Sequence, residues 1–199
     1  LTLCNMATEF SAMTALVAPD DATFAYLEGR RFAPRGDTWR RAVEHWSSLV
    51  SDGEATFDRE IEIDAGLLEP MITWGTSPQH AVGISGRVPE VADSGTSREA
   101  YDRALDYMDV KPGDGLQSLA IGAAFIGSCT NSRISDLRRA AAILRGRRVA
   151  PGVRAICVPG SMSVKRQAEA EGLDRDFVEA GFEWRESGCS MCFYAGGES

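Results

Sequence analysis

The chain has 199 residues, a formal net charge of −8 at pH 7 and 44% hydrophobic character, enough apolar material for one sizeable core or two small ones. Its acidic balance (pI near 4.9), with no run of Lys or Arg longer than a pair, excludes a phosphate-neutralising surface, so no nucleic-acid partner is expected. Apolar stretches such as "LAIGAAFIG" (residues 119–127) fall far short of the roughly 20 residues a bilayer span requires, so no membrane association is expected either.

The opening "LTLCNMATEF" lacks the basic start and cleavage pattern of a secretory signal. Five cysteines, an odd number in a chain of ordinary composition, suit a reducing compartment better than a disulfide framework. They read as thiols or metal ligands, in a cytoplasmic protein.

In chain order, "PDDATFAYLEGR" (19–30) has an Asp cap and a Gly stop, and "DTWRRAVEHWSSLVSDG" (37–53) sets Trp39, Val43, Trp46 and Val50 on one face; both predict helices. "FDREIEIDAG" (57–66) alternates Phe57, Ile61 and Ile63 with charged residues, and "LLEPMITWGTSP" (67–78) is apolar and closed by Gly and Pro; these predict strands or strand-like edges. "GISGRVPEVADSG" (83–95) is rich in Gly, Pro and Ser, which places a boundary near residue 88 between two lobes, 1–88 and 89–199. The second lobe opens with a helix, "SREAYDRALDYM" (97–108). It then alternates strand and helix through "LAIGAAFIGS", "NSRISDLRRAAAILRG", "VRAICVPG" and "MSVKRQAEAEGL", the spacing of βαβ units on a parallel sheet. The fold class is α/β.

In open sheets of this kind ligands lie beyond the carboxyl ends of the strands, where "GSCTNSR" (127–133) and "VPGS" (158–161) both fall. Cys129 follows a strand directly and precedes capping residues, so it is expected at a helix N-terminus, where free N–H groups favour a thiolate. A buried small residue at a tight turn is the equally weighted alternative. The spacing of Cys189 and Cys192 in "GCSMC" allows both sulfurs to reach one metal centre. Zinc, a redox dithiol and an iron–sulfur cluster all remain open from that spacing, although a thioredoxin-type pair would open a helix after a strand. Cys157 lies mid-strand and reads as core; Cys4 reads as structural.

Together "LCNMATE", "FIGSCTNSRISDLRRAA", "ICVPGS" and "EAGFEWRESGCSMC" resemble the aconitase superfamily, most closely its branch of isopropylmalate dehydratase large subunits. The likeness runs in order from about residue 1 to 199. It implies an aconitase-like fold of two α/β lobes with mainly parallel sheets, 1–88 being part of the second lobe and 89–199 the cluster-bearing third. It also implies that Cys129, Cys189 and Cys192 hold a 4Fe-4S cluster with one iron free of protein ligands. The "CNMxxE" element maps a pocket asparagine onto Asn5 and a catalytic glutamate onto Glu9, and Asn131 becomes a residue of the cluster pocket. For Glu9 a solvated carboxylate in a first helical turn is the alternative role, and for Asn131 helix capping.

The implied activity is that of an iron–sulfur hydro-lyase, which interconverts 2-isopropylmalate and 3-isopropylmalate by dehydration and rehydration in leucine (branched-chain amino-acid) biosynthesis. The implied partners are a small subunit, forming a heterodimer, and a hydroxy diacid substrate. Two departures stand out. His45 and His80 fit no family motif, and the arginine-containing "NRNF" element that follows the cluster cysteines does not occur. With the family's His and Asp active-site residues on a preceding domain and its serine base on a separate small subunit or a swivelling last domain, the resemblance implies an internal fragment that is inactive alone. Homoaconitase-type and methylmalate-type dehydratases are the alternatives within the superfamily. From another class, a structural zinc module would add His80 or Cys157 as fourth ligand.

Overall fold

A computed structural model describes residues 2–192, with the side chains of Glu9, Phe10 and Cys192 outside that description. In chain order the elements are α1 (Thr2–Asn5), α2 (Asp21–Leu27), α3 (Asp37–Ser47), β1 (Met71–Thr73), β2 (Ala81–Gly83), α4 (Arg98–Met108), β3 (Ala123–Gly127), α5 (Ser128–Asn131), α6 (Ile134–Leu144), β4 (Arg154–Val158), α7 (Met162–Ala170), α8 (Leu173–Ala180) and β5 (Phe182–Trp184). Single 3-10 turns include Met6–Phe10 and Ser190–Cys192. The chain divides into two compact units, Arg59–Gly122 and the remainder.

The remainder is built on a parallel sheet ordered β3-β4-β5. Its register sets Ala124 against Ala155 and Ile126 against Cys157, then Ala155 against Phe182 and Cys157 against Trp184. The crossovers are α6 between β3 and β4, and α7 with α8 between β4 and β5. Leu137 and Ala141 of α6, Ala168 of α7 and Phe177 of α8 are all fully buried against Ala155 and Cys157 of β4. Phe177 meets Phe182 edge-on at 5.5 Å and Trp184 at 5.4 Å. Burying a side chain of this size contributes about 1.5–3 kcal/mol, so the C-terminal α8–β5 pair is part of the core that holds the central strand. Arg138 closes the rim with a two-pronged pair to Glu171 (2.8 and 2.7 Å), a geometry suited to the planar guanidinium.

The helix starts follow from short capping side chains. Asp20 accepts from the Thr23 N–H at 2.8 Å, Ser97 from Ala100 at 3.3 Å and Ser161 from Val164 at 3.2 Å. Helix α3 stops at Ser47, short of the predicted end at residue 53. There the Ser47 and Ser48 hydroxyls donate to the Val43 and His45 carbonyls, competing with the ladder, and Val50 remains exposed. Within α3, Trp46 meets Trp39 edge-on and stacks on Phe24 of α2.

The Arg59–Gly122 unit pairs β1 with β2 antiparallel and packs α4 over them. Trp74, Val88, Tyr101, Ala104, Val110 and Leu116 form its core. The expected boundary near residue 88 therefore falls inside a unit. Val88 is 2% exposed, and its backbone exchanges hydrogen bonds with the 113–114 turn, so the Gly/Pro/Ser-rich composition there reflects tight turns on a core. The α/β class holds, but the expected parallel sheet is found in only one of the two units among the described residues. The predicted strand over 57–66 does not form: Phe57, Ile61 and Ile63 are 61–70% exposed and their alternation meets no partner strand.

Candidate functional site

The carboxyl ends of β3 and β4 converge on a turn that only small residues permit. A side chain at Gly127 would meet Phe125 Cζ at 2.6 Å and Val158 Cβ at 2.9 Å. The next residue, Ser128, takes a left-handed φ of 68° while buried, the kind of strain that persists only where surroundings enforce it. The chain then forms the single turn α5, which presents Cys129 as an exposed free thiol. Cys129, expected at a helix N-terminus, is the second residue of the four-residue turn α5, and the longer helix α6 starts only at Ile134. From β4, Gly160 comes close enough for its N–H to donate to the Ser132 carbonyl at 2.8 Å.

The N-terminal segment is tied to the same place. Thr2 Oγ1 donates to Asn131 Oδ1 at 2.9 Å, and an Arg133 Nη donates to Thr2 Oγ1 at 3.3 Å, so α1 lies against α5. As a result Asn5, Tyr26, Cys129, Arg133, Gly160 and Ser161 border one cavity of about 210 Å³. "GSCTNSR" and "VPGS" thus meet at one site at the strand ends. Two of the candidate residues, Asn5 and Cys129, share its wall.

The Ser190–Cys192 turn packs on α5 and β3, which brings the backbone of the C-x-x-C segment to the Cys129 turn. Cys189 is an exposed free thiol. Among the described residues no three metal-ligating side chains cluster, and the side chains of Cys192 and Glu9 lie outside that description. Glu9 belongs to the 3-10 turn that follows α1. Asn131 is held by Thr2, and the single turn of α5 gives it no long helix to cap. Cys157, by contrast, is sealed in the sheet at 0% exposure, and burial pushes its thiol up to about 12, as a core residue requires. Cys4 is half-buried on α1.

His80 is buried in the other unit, stacked on Trp74 at 4.4 Å. A roomier cavity of about 690 Å³ lies between the 27–34 loop and α7, but its walls carry arginines and apolar groups without thiol, carboxylate or imidazole. Size alone does not select the site. Sequence reasoning missed Tyr26, Arg133 and Ser161 as wall residues. Arg133 directly follows the "SCTNS" run and Ser161 ends "VPGS", so a signal was present for both; Tyr26 had none.

Across its whole length, residues 1–199, the sequence matches the model of the aconitase family (aconitate hydratase). The chain belongs to the aconitase family. Among curated relatives, this aconitase-family chain is 64% identical over 201 residues to a protein of Cupriavidus necator named 3-isopropylmalate dehydratase large subunit, covering all of this chain and 75% of that one. It is 56% identical to one of Bradyrhizobium diazoefficiens named 3-isopropylmalate dehydratase large subunit 1, of which it spans 42%. No helix of the described residues is long and apolar enough to cross a membrane.

Proposed function

We propose that this chain is the cluster-bearing part of an isopropylmalate dehydratase large subunit, a cytoplasmic iron–sulfur hydro-lyase that interconverts 2-isopropylmalate and 3-isopropylmalate in leucine biosynthesis. The observation that carries the reading is 64% identity, across the entire chain, to a relative of that name. The donor chemistry is compatible with the group this function needs. Cys129 and Cys189 are free and exposed, the turn holding Cys192 rests on the Cys129 turn, and soft thiolates are the usual ligands of such clusters. Cys129, Cys189 and Cys192 would hold a 4Fe-4S cluster. When bound, a cluster with three protein thiolates supplies a Lewis-acidic iron open to substrate oxygen.

The protein's own residues then have distinct tasks. The Asn5 amide, on the cavity wall beside Cys129, donates to a substrate oxygen and orients the hydroxyl. Glu9 holds the proton that leaves with that hydroxyl. Asn131, pinned by Thr2, keeps the Cys129 turn in place. Carbon–hydrogen cleavage needs a positioned base, and no His, Lys, Asp or Glu appears among the described wall residues. Because the family resemblance sets the serine base on a separate small subunit or a swivelling last domain, and the relatives are named large subunits, the small subunit is the proposed source of the base, and the active species a heterodimer. Either fourth ligand of a zinc module, Cys157 or His80, would have to leave the core of its unit, so nothing favours that reading.

The test uses the full-length large subunit with its small subunit, purified anaerobically, and follows the ultraviolet absorbance of the unsaturated diacid after addition of 3-isopropylmalate, homocitrate or a methylmalate. Fastest turnover of isopropylmalate is expected. Preference for homocitrate or methylmalate would move the chain to another branch of the family.

A further inference from the structure

We infer that Arg133 is a substrate-binding residue that grips one carboxylate of the diacid and so helps to set the preference for dicarboxylates. The inference rests on the hydro-lyase reading above, in that it assigns a new residue to the same site.

Three observations carry it. Arg133 lines the 210 Å³ cavity together with Cys129 and Asn5. Arg133 is half-buried, yet its side chain makes a single hydrogen bond among the described residues, a long one of 3.3 Å to a neutral hydroxyl. A guanidinium carries five N–H donors, so most of its capacity is uncommitted among the described residues. The other half-buried arginine of the same unit, Arg185, is paired with Glu183, and the more exposed Arg138, Arg145 and Arg154 are paired with Glu171, Asp176 and Glu183. Among the described residues Arg133 has no such partner, although acidic residues outnumber basic ones 29 to 21 in the chain, and no described wall residue is acidic.

Its backbone is fixed. The Arg133 N–H donates to Asp136 Oδ2 at 3.0 Å, and its carbonyl accepts from Asp136 and Leu137 at the start of α6. The side chain is therefore delivered from a rigid base four residues after Cys129. A planar fork of donors on a rigid base matches a carboxylate bidentately. The cavity is smaller than the roughly 300–1,000 Å³ of sites for drug-sized ligands, which suits a small organic acid and not a nucleotide.

The experiment compares wild type, Arg133→Gln and Arg133→Lys in the assembled two-subunit enzyme. Iron content and melting temperature are recorded alongside calorimetric titration with 3-isopropylmalate and with each of its two monoamides. Arg133→Gln is expected to weaken diacid binding and raise KM about a hundredfold, as loss of one member of a buried charge pair does, with kcat falling less. Arg133→Lys should recover about tenfold of that loss, since a point charge replaces the fork. The monoamide lacking the gripped carboxylate should bind wild type and Arg133→Gln within about threefold of each other. If Arg133→Gln loses iron or unfolds, Arg133→Lys is read alone and should bind the diacid within about tenfold of wild type.

Unchanged diacid affinity in Arg133→Gln, or equal weakening of the diacid and both monoamides, would overturn the inference. So would iron loss in both variants, which would assign Arg133 to holding the turn. Should the wild-type enzyme prefer another hydroxy diacid, the isopropylmalate reading falls, while the same comparison made with that diacid still decides the role of Arg133. Wild type that binds no dicarboxylate at all defeats both.

Discussion

Replacing Gly160 with Ala asks whether the contact between β4's end and the Cys129 turn sets the site. A Cβ at Gly160 would lie 2.7 Å from the Ser132 carbonyl oxygen, 3.2 Å from its carbon and 3.3 Å from the Ser128 oxygen. The first is about 0.7 Å inside the 3.4 Å at which ordinary contact begins, and all three atoms are backbone, so no rotamer change relieves the clash. Overpacking of this kind costs about 1–3 kcal/mol. Stretching the 2.8 Å Gly160 N–H to Ser132 hydrogen bond forfeits up to about 1 kcal/mol more, and the stiffer unfolded chain returns about 0.4–1 kcal/mol. The net expectation is a loss of about 2 kcal/mol, or about 4–8 °C in Tm for a chain of this size. Because the 128–132 turn must move, Cys129 moves with it, and displacements of about 1 Å in a site cost on the order of a hundredfold in rate. Thermal denaturation with parallel iron determination measures both. Gly122→Ala is the control, since a Cβ there meets nothing within 4 Å and should change stability by less than about 0.5 kcal/mol. If Gly160→Ala matched that control in stability and iron content, the contact would not position Cys129 and the reasoning would be refuted.

Two further predictions concern thiols and acid. Brief treatment of the native, metal-free protein with iodoacetamide should label Cys129 and Cys189, which are exposed, and spare Cys157, which is fully buried with its thiol pushed up to about 12; peptide mass spectrometry showing early labelling of Cys157 would mean that the sheet opens far more readily than its packing implies. Glu183 is held down to about 2, first by its hydrogen bond to Arg154 and then by that to Arg185. A depressed carboxyl stabilises the fold above its ordinary value near 4.5 and loses that contribution as pH falls toward about 2, so Glu183→Gln should flatten the urea midpoint between those limits, modestly because the group is exposed. Equal pH slopes in wild type and variant would show that the pair contributes nothing.

The elements that were legible in the sequence are those whose apolar period meets a partner. Helix α4 was expected over 97–108 and spans 98–108, while β3, α6, β4 and α7 fall where alternating strand and helix patterns placed them. The segment 57–66 shows the limit: its alternation is genuine, but a strand needs a neighbour to pair with, and none is there. Helix α8 and β5 are not among the expected elements although Leu173, Phe177 and Ala180 repeat at helical spacing, and β5, at three residues, is too short to show a period of its own. At the site, Cys129 stood out through its strand-to-turn context. Its meeting with the N-terminal segment depends on a hydrogen bond between residues 129 apart in sequence, and no local pattern encodes that. The pairing state of Arg133 is hidden for a related reason. Whether a surface arginine is paired or free is decided by which carboxylates the fold brings near it.

The central claim is that Cys129 and the C-x-x-C pair hold one iron–sulfur cluster. The most direct measurement is iron, sulfide and visible absorption of the anaerobically purified full-length protein, compared with its Cys129→Ser and Cys157→Ser variants. The account predicts a brown wild type with about four irons and four sulfides per chain, a colourless Cys129→Ser and a Cys157→Ser that retains its iron even if a buried hydroxyl makes it less stable by about 1–3 kcal/mol. Zinc in place of iron, or equal iron loss from both variants, would contradict it.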